Sequence, residues 1–219
     1  MTQSSLRDLR IEVSDHMDRL LADHGLARKR SDEYLWPLAD GFQGWLSLIY
    51  HSRPEAALID VDPLVGVRST AIEHVAKQLG GDRRSWLSSA STQLWNLTPD
   101  RSSWLAYLRF ETDQPIGPPA QELIAGFEMY GRPWAEARAT LPALREELAR
   151  EEHPAPAVAC RRIAAHLLCG DRAAAEADLR AAEQDARERA YDPLDVRGLV
   201  ATWTSRFLEV AAAVLEGSV

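Results

Sequence analysis

Apolar residues recur at Leu6, Leu9, Val13, Met17, Leu20 and Leu21. Steps of three and four place them on one face of a helix, so a first helix is predicted over residues 5–24, with Gly25 as its C-terminal stop. From Glu33 the period shortens to two. Residues 33–68 read EYLWPLADGFQGWLSLIYHSRPEAALIDVDPLVGVR, the pattern of a three-stranded antiparallel meander. Asp40-Gly41 supplies its first turn, because both central residues of a tight hairpin turn need positive φ. Pro37 cannot donate to a ladder, which predicts that the strand over 34–39 lies at an edge.

The second strand, 42–50, sets Trp45, Ser47 and Ile49 against Leu46, Leu48 and Tyr50, apolar on both sides. The third, 56–63, puts Leu58, Asp60 and Asp62 on one face and Ile59 and Val61 on the other, with Pro63 as its end. Ser69 is the predicted N-cap of a helix running to Leu79, closed by Gly80-Gly81. Two more strands are predicted at 92–97 and 104–111, then a proline-rich crossing at 114–119. Everything beyond Ala120 reads as helix: 121–130, 134–150, 158–169, 173–189 and 194–215. The last of these carries Leu199, Trp203, Phe207, Val210 and Val214 as a buried stripe.

These elements define an α+β fold: a mainly antiparallel sheet of about five strands with helices on one face, followed by an all-helical C-terminal region. Pro154 and Pro156 mark the predicted boundary, giving an α+β domain over 1–150 and a helical region over 155–219. The pair 158–169 and 173–189 is rich in small residues and resembles a single tetratricopeptide-type hairpin, without a second copy that would make an array.

Composition narrows the function classes. With 46% hydrophobic and 26% charged residues the chain has ordinary globular composition. No uninterrupted apolar run reaches the ~18 residues of a membrane span, and the N-terminus lacks the apolar core of a secretion signal; the expectation is a cytoplasmic protein without a membrane partner. Net charge is −8, with only two lysines, Lys29 and Lys77, which disfavours nucleic acid. The one basic cluster, Arg28-Lys29-Arg30, is expected as solvated charge near the end of the first helix. Cys160 and Cys169 are nine residues apart on one predicted helix, too far along its axis for a disulfide, and are expected as buried thiols.

Asp60 and Asp62 are the sharpest chemical feature. Carboxylates at i and i+2 on a strand share a face, an arrangement that can bind a divalent cation or pair an acid with a base, with His51 as a possible imidazole partner to Asp60 across the turn. The bland alternative is the solvated face of a half-exposed strand. His16, His24, His74, His153 and His166 are scattered and show no metal-ligand spacing, so no metal and no cofactor is predicted. Phosphate loops, dinucleotide fingerprints and nucleophile elbows are absent. Among seven tryptophans, four fall on predicted strands; core filling is the first expectation, with Trp36 and Trp45 as possible anchors for a protein partner.

The order of first helix, Gly25-Leu-Ala-Arg-Lys-Arg, aromatic strand, Gly44-Trp45 strand and later Phe127-Glu-Met-Tyr-Gly-Arg-Pro-Trp134 resembles the DUF4304-type group of uncharacterised bacterial proteins over residues 5–150, with Leu26 where an aromatic is expected. The resemblance implies a small non-enzymatic accessory or immunity-like protein. The missing catalytic motifs, the tetratricopeptide-like pair and the −8 charge make the leading expectation a non-catalytic protein that binds another protein through its acidic surface, the sheet edge or the helical hairpin, with Trp36, Trp45, Asp60 and Asp62 as partner-binding residues and oligomeric state open. The alternative is a metal-assisted hydrolase using Asp60, Asp62 and His51.

Overall fold

Alternation at 33–68 and three-to-four periodicity elsewhere produce the elements they predict, in the order of an α+β chain. The structure, a computed structural model, describes residues 3–80, 88–99, 108–151, 154–188 and 193–217. Helix α1 (Gln3–Asp23) leads into strands β1 (Ala27–Arg30), β2 (Glu33–Pro37), β3 (Phe42–Arg53) and β4 (Leu58–Ser69). Helix α2 (Thr70–Gln78) and the short strands β5 (Ala90–Gln93) and β6 (Leu108–Glu111) follow. The strands form one sheet in the order β1-β2-β3-β4-β5, with β6 also paired to β4. β1 with β2, β2 with β3 and β4 with β6 are antiparallel.

Several boundaries differ from expectation for identifiable reasons. The basic segment Arg28-Lys29-Arg30 is part of an edge strand, not a helix end: Gly25 adopts φ 78, and the chain turns straight back against β2, pairing Ala27 with Leu35 and Arg28 with Tyr34. Arg28 then reaches Asp18 on α1, so its charge is paired within the fold. β2 is consequently not the edge; Pro37 is tolerated because the β1 pairing reaches no further along β2 than Leu35, opposite Ala27, while Pro37 lies opposite Gln43 of β3. Pro63 does not end β4, which continues to Ser69. The β6 pairing occupies only Leu58–Val61, leaving Pro63 beyond it. The strand expected at 92–97 is β5 followed by a 3-10 turn at Leu94–Leu97. Of the strand expected at 104–111, Leu108–Glu111 is present and the rest, with Trp86 and Trp104, falls outside the described residues.

One sheet face carries Tyr34, Trp36, Leu46, Leu48, Ile59, Val61, Val65 and Phe110, all buried. Helix α1 covers it: the Tyr34 hydroxyl donates to Asp18 at 2.6 Å, and Arg10 lies over the Tyr50 ring. The Trp36 indole lies across Gly44, where any Cβ would fall inside the ring, and meets Phe127 edge-on at 5.0 Å. Phe127 opens a π-helical turn (Phe127–Gly131) joining α3 (Gly117–Gly126) to α4 (Arg132–Glu136). The helix thus runs on through Gly131 and Pro133, where a stop was expected. It ends instead before Thr140, whose hydroxyl caps α5 (Leu141–Leu148).

The helical remainder follows the sequence pattern closely: α6 (Pro156–Leu168), α7 (Arg172–Glu188) and α8 (Pro193–Leu215). In α8, Trp203, Phe207 and Val210 are buried as the stripe predicts, while Leu199 and Val214 are half-buried. Among the described residues, Arg197–Leu215 is the helix with the length and mean hydropathy, 1.2, of a membrane-crossing segment, although Arg206 and Glu209 sit within it. Both cysteines are free, Cys160 buried and Cys169 half-buried. By compactness the chain divides into one unit of Met1–Ala39, Gln43–Val67 and Ser91–Ala137, holding most of the sheet, α1, α3 and α4, and a second of Asp40–Phe42, Arg68–Ala90 and Arg138–Val219, holding α2 and α5–α8.

Candidate functional site

The second sheet face holds the chemistry. Along β3 it presents Trp45, Ser47, Ile49, His51 and Arg53; along β4 it presents Leu58, Asp60 and Asp62. The two aspartates share this face as their i, i+2 spacing requires, but they are buried rather than solvated. A carboxylate taken out of water needs a partner, and Asp60 has two. Arg53, at the end of β3, donates from Nε at 3.1 Å to one carboxylate oxygen. Arg109, directly opposite Asp60 in the β4–β6 register, donates from Nε at 3.4 Å to the other.

The exposures are unequal. Asp60 is 5% accessible, Arg53 51% and Arg109 59%. One buried carboxylate therefore grips two half-exposed guanidiniums by their inner nitrogens, and the forked outer ends, with further N–H donors, make no hydrogen bond among the described residues. Ile49, a large exposed apolar side chain, and the exposed His51 lie along the same face of β3.

Asp62 is solvated by protein less well. The Gln93 side-chain amide donates to one oxygen at 3.0 Å, while the other oxygen is buried without a partner. Burial pushes the Asp62 carboxyl above its ordinary range, against the opposing pull of the Gln93 hydrogen bond and of nearby His51. His51, expected as a partner to Asp60, thus also acts on Asp62. Among the described residues no group of three or more His, Cys, Asp and Glu is placed to hold a metal ion.

Trp36 and Trp45 are both buried. Neither presents an accessible ring, so the anchor role considered for them is corrected to core packing; the strand alternation that made them visible is the alternation that buries them. Arg53, Arg109 and Gln93 were not legible as site residues. Arg53 could have been found from the short connection between β3 and β4. Arg109 is 49 residues from Asp60, and nothing in the sequence announces that β6 lies against β4.

Two further charged clusters are structural. Glu128, in the π-helical turn, receives Arg132 Nε at 2.7 Å and Nη2 at 2.9 Å and contacts His24 Nδ1 at 3.2 Å. The Arg132 hydrogen bond is the main reason its carboxyl is held below the usual range. The same guanidinium donates to the His24 carbonyl at 2.9 Å, fastening the end of α1. In the second unit, Glu73 of α2 is bound by Arg161 of α6 and by Ser89.

No protein-family model, no curated protein and no solved structure matches this chain.

Proposed function

We propose that the chain is a non-catalytic cytoplasmic protein-interaction module that receives a carboxylate-bearing segment of another protein on the Arg53–Asp60–Arg109 surface. The observation that carries this reading is the grip of Asp60 on both guanidiniums. An arginine held by Nε has lost much of its side-chain freedom before a partner arrives, which lowers the ordering cost of binding, and its outer N–H pair matches a carboxylate in two-point geometry. Ile49 adds apolar contact beside a charged anchor, the combination found at the centres of protein interfaces. The accessory or immunity-like role implied by the family resemblance is one form of this reading, since stoichiometric binding is all it asks of the protein.

A display selection on the immobilised full chain tests it. Enriched peptides should carry Asp, Glu or a free C-terminal carboxylate, and Arg53→Ala or Arg109→Ala should weaken them by at least about tenfold, the value of a charge-assisted hydrogen bond. Peptides without acidic character, or binding indifferent to both arginines, would contradict the reading.

The second reading, a hydrolase using Asp60, Asp62 and His51 with a metal ion, is favoured only by Asp62, whose raised carboxyl and unpartnered oxygen beside His51 suit an acid–base group. Asp60 weighs against it, because a cation would have to displace two arginines. Metal-dependent turnover lost in Asp62→Asn would favour this reading over the first.

A further inference from the structure

The Arg53–Asp60–Arg109 surface carries more carboxyls than guanidiniums. Asp60 and Asp62 stand on β4, and Glu111 stands on β6 opposite Leu58, on the same side of the strand as Arg109. Further off, β2 brings Glu33, opposite Ser47, and the 3-10 turn Pro54–Ala56 brings Glu55. The forks of Arg53 and Arg109 suit a carboxylate locally, but with these groups ionised the field around them opposes an acidic segment.

His51 is the group that changes this balance. It is exposed, lies on the same face of β3 two residues before Arg53, and is near enough to Asp62 to act on its carboxyl. An imidazole gains a full positive charge between pH 8 and 5, where other ordinary side chains keep theirs.

Resting on the partner reading above, we infer that a proton on His51 regulates this surface: the imidazolium joins Arg53 and Arg109 as a third cation, and the acidic segment binds more tightly as pH falls. The surroundings act in the same direction or stay constant. The guanidiniums do not titrate, and Gln93, contributed by β5, is uncharged. Burial holds the carboxyls of Asp62 and Glu33 above their ordinary range, so a falling pH only removes negative charge from them. The partner's own carboxylates stay ionised down to about pH 5. By linkage, a partner that prefers the protonated surface draws a proton onto it when it binds.

Calorimetric titration of a histidine-free acidic peptide from the display selection into the full chain, at about pH 8 and about pH 6 and constant ionic strength, tests this. Wild type should bind about three- to fivefold more tightly at the lower pH, the value of an exposed charge contact. His51→Gln should lose most of that difference and bind at both values as wild type does at the higher one. His51→Arg should bind at the higher pH as wild type does at the lower. Between the two values wild-type binding should take up a proton, seen as an enthalpy that varies with the buffer's heat of ionisation, and His51→Gln should not. Arginine-dependent binding of equal strength at both pH values, or a pH dependence undiminished in His51→Gln, would overturn the inference and leave the partner surface standing. Binding indifferent to Arg53→Ala and Arg109→Ala would overturn both.

Discussion

Arg161 on α6 donates from Nε to one oxygen of Glu73 on α2 at 2.8 Å and from Nη2 to the other at 3.3 Å, with Arg161 buried. The Ser89 hydroxyl donates to the same Glu73 at 2.8 Å and accepts from Ser69 N–H at 3.0 Å. Ser69 also caps α2 through the Ile72 N–H. A two-point ion pair and a capped helix start are thus one network. Arg161→Ala leaves Glu73 short of its main partner and should cost about 3 kcal/mol, the lower end for breaking a buried pair, or roughly a 6–12 °C fall in melting temperature for a chain of this size. Replacing both residues with leucine should recover much of that loss, because the unpaired charge disappears. Thermal denaturation of the single and double variants decides it.

Gly44 is fixed by contact, not by turn geometry. The Trp36 indole occupies the space above it, and Trp36 is itself pinned by Phe127 and by the Arg132 guanidinium 5.6 Å from its ring. Gly44→Ala should destabilise by about 3 kcal/mol, the upper part of the overpacking range. Combined with Trp36→Leu, it should cost less than the sum of the two single changes. Additive losses in chemical denaturation would show that the indole is not the obstacle.

Asp62 gives a pH signature. Its carboxyl is raised in the folded protein, mainly by burial, so the folded state binds its proton more tightly than the unfolded chain does. That contribution to stability is present below the unfolded value, about 3.9, and is lost as pH rises through the folded value. Asp62→Asn keeps an acceptor for Gln93 and should raise the melting temperature at neutral pH while changing it little at pH 3. Glu128 has the opposite sign. Arg132 lowers its carboxyl, so its contribution is present at neutral pH and is lost as pH falls through the folded value; Glu128→Gln should remove that part of the acid transition.

The thiols should differ in reactivity. Burial pushes the Cys160 thiol up to about 11, and only the thiolate is nucleophilic. In native protein at pH 8, a disulfide reagent should modify the half-buried Cys169 first, and Cys160 only as the chain opens. Equal rates would contradict the placement of Cys160 in the helix core.

The α+β class was legible because its signals are local. Alternation from Glu33 to Val61, the Ser69 cap and the 3.6-residue stripes of α1 and α8 each need only neighbouring residues. Asp40-Gly41 marks the β2–β3 connection, but only Gly41 takes positive φ, and the last pair is Pro37 with Gln43, so the turn is longer than the two-residue hairpin expected. What else was missed needed distant residues. β1 forms from an unpromising Ala-Arg-Lys-Arg because the adjacent β2 offers it an edge. The π-helical turn carries the helix past Gly131, whose missing side chain leaves room for Phe127, Val65 and Leu94. Asp60 and Asp62 were visible as a pair on one face, but their burial and the arginine that β6 brings to Asp60 depend on a strand pairing across 49 residues.

The most direct test of the central claim is calorimetric titration of a selected acidic peptide into wild type, Arg53→Ala, Arg109→Ala and Asp60→Asn. The account predicts one site per chain, loss of at least about tenfold in affinity for either arginine change, and a smaller loss for Asp60→Asn, which leaves both guanidiniums in place but loosens their grip. Equal affinity across the four proteins would contradict it.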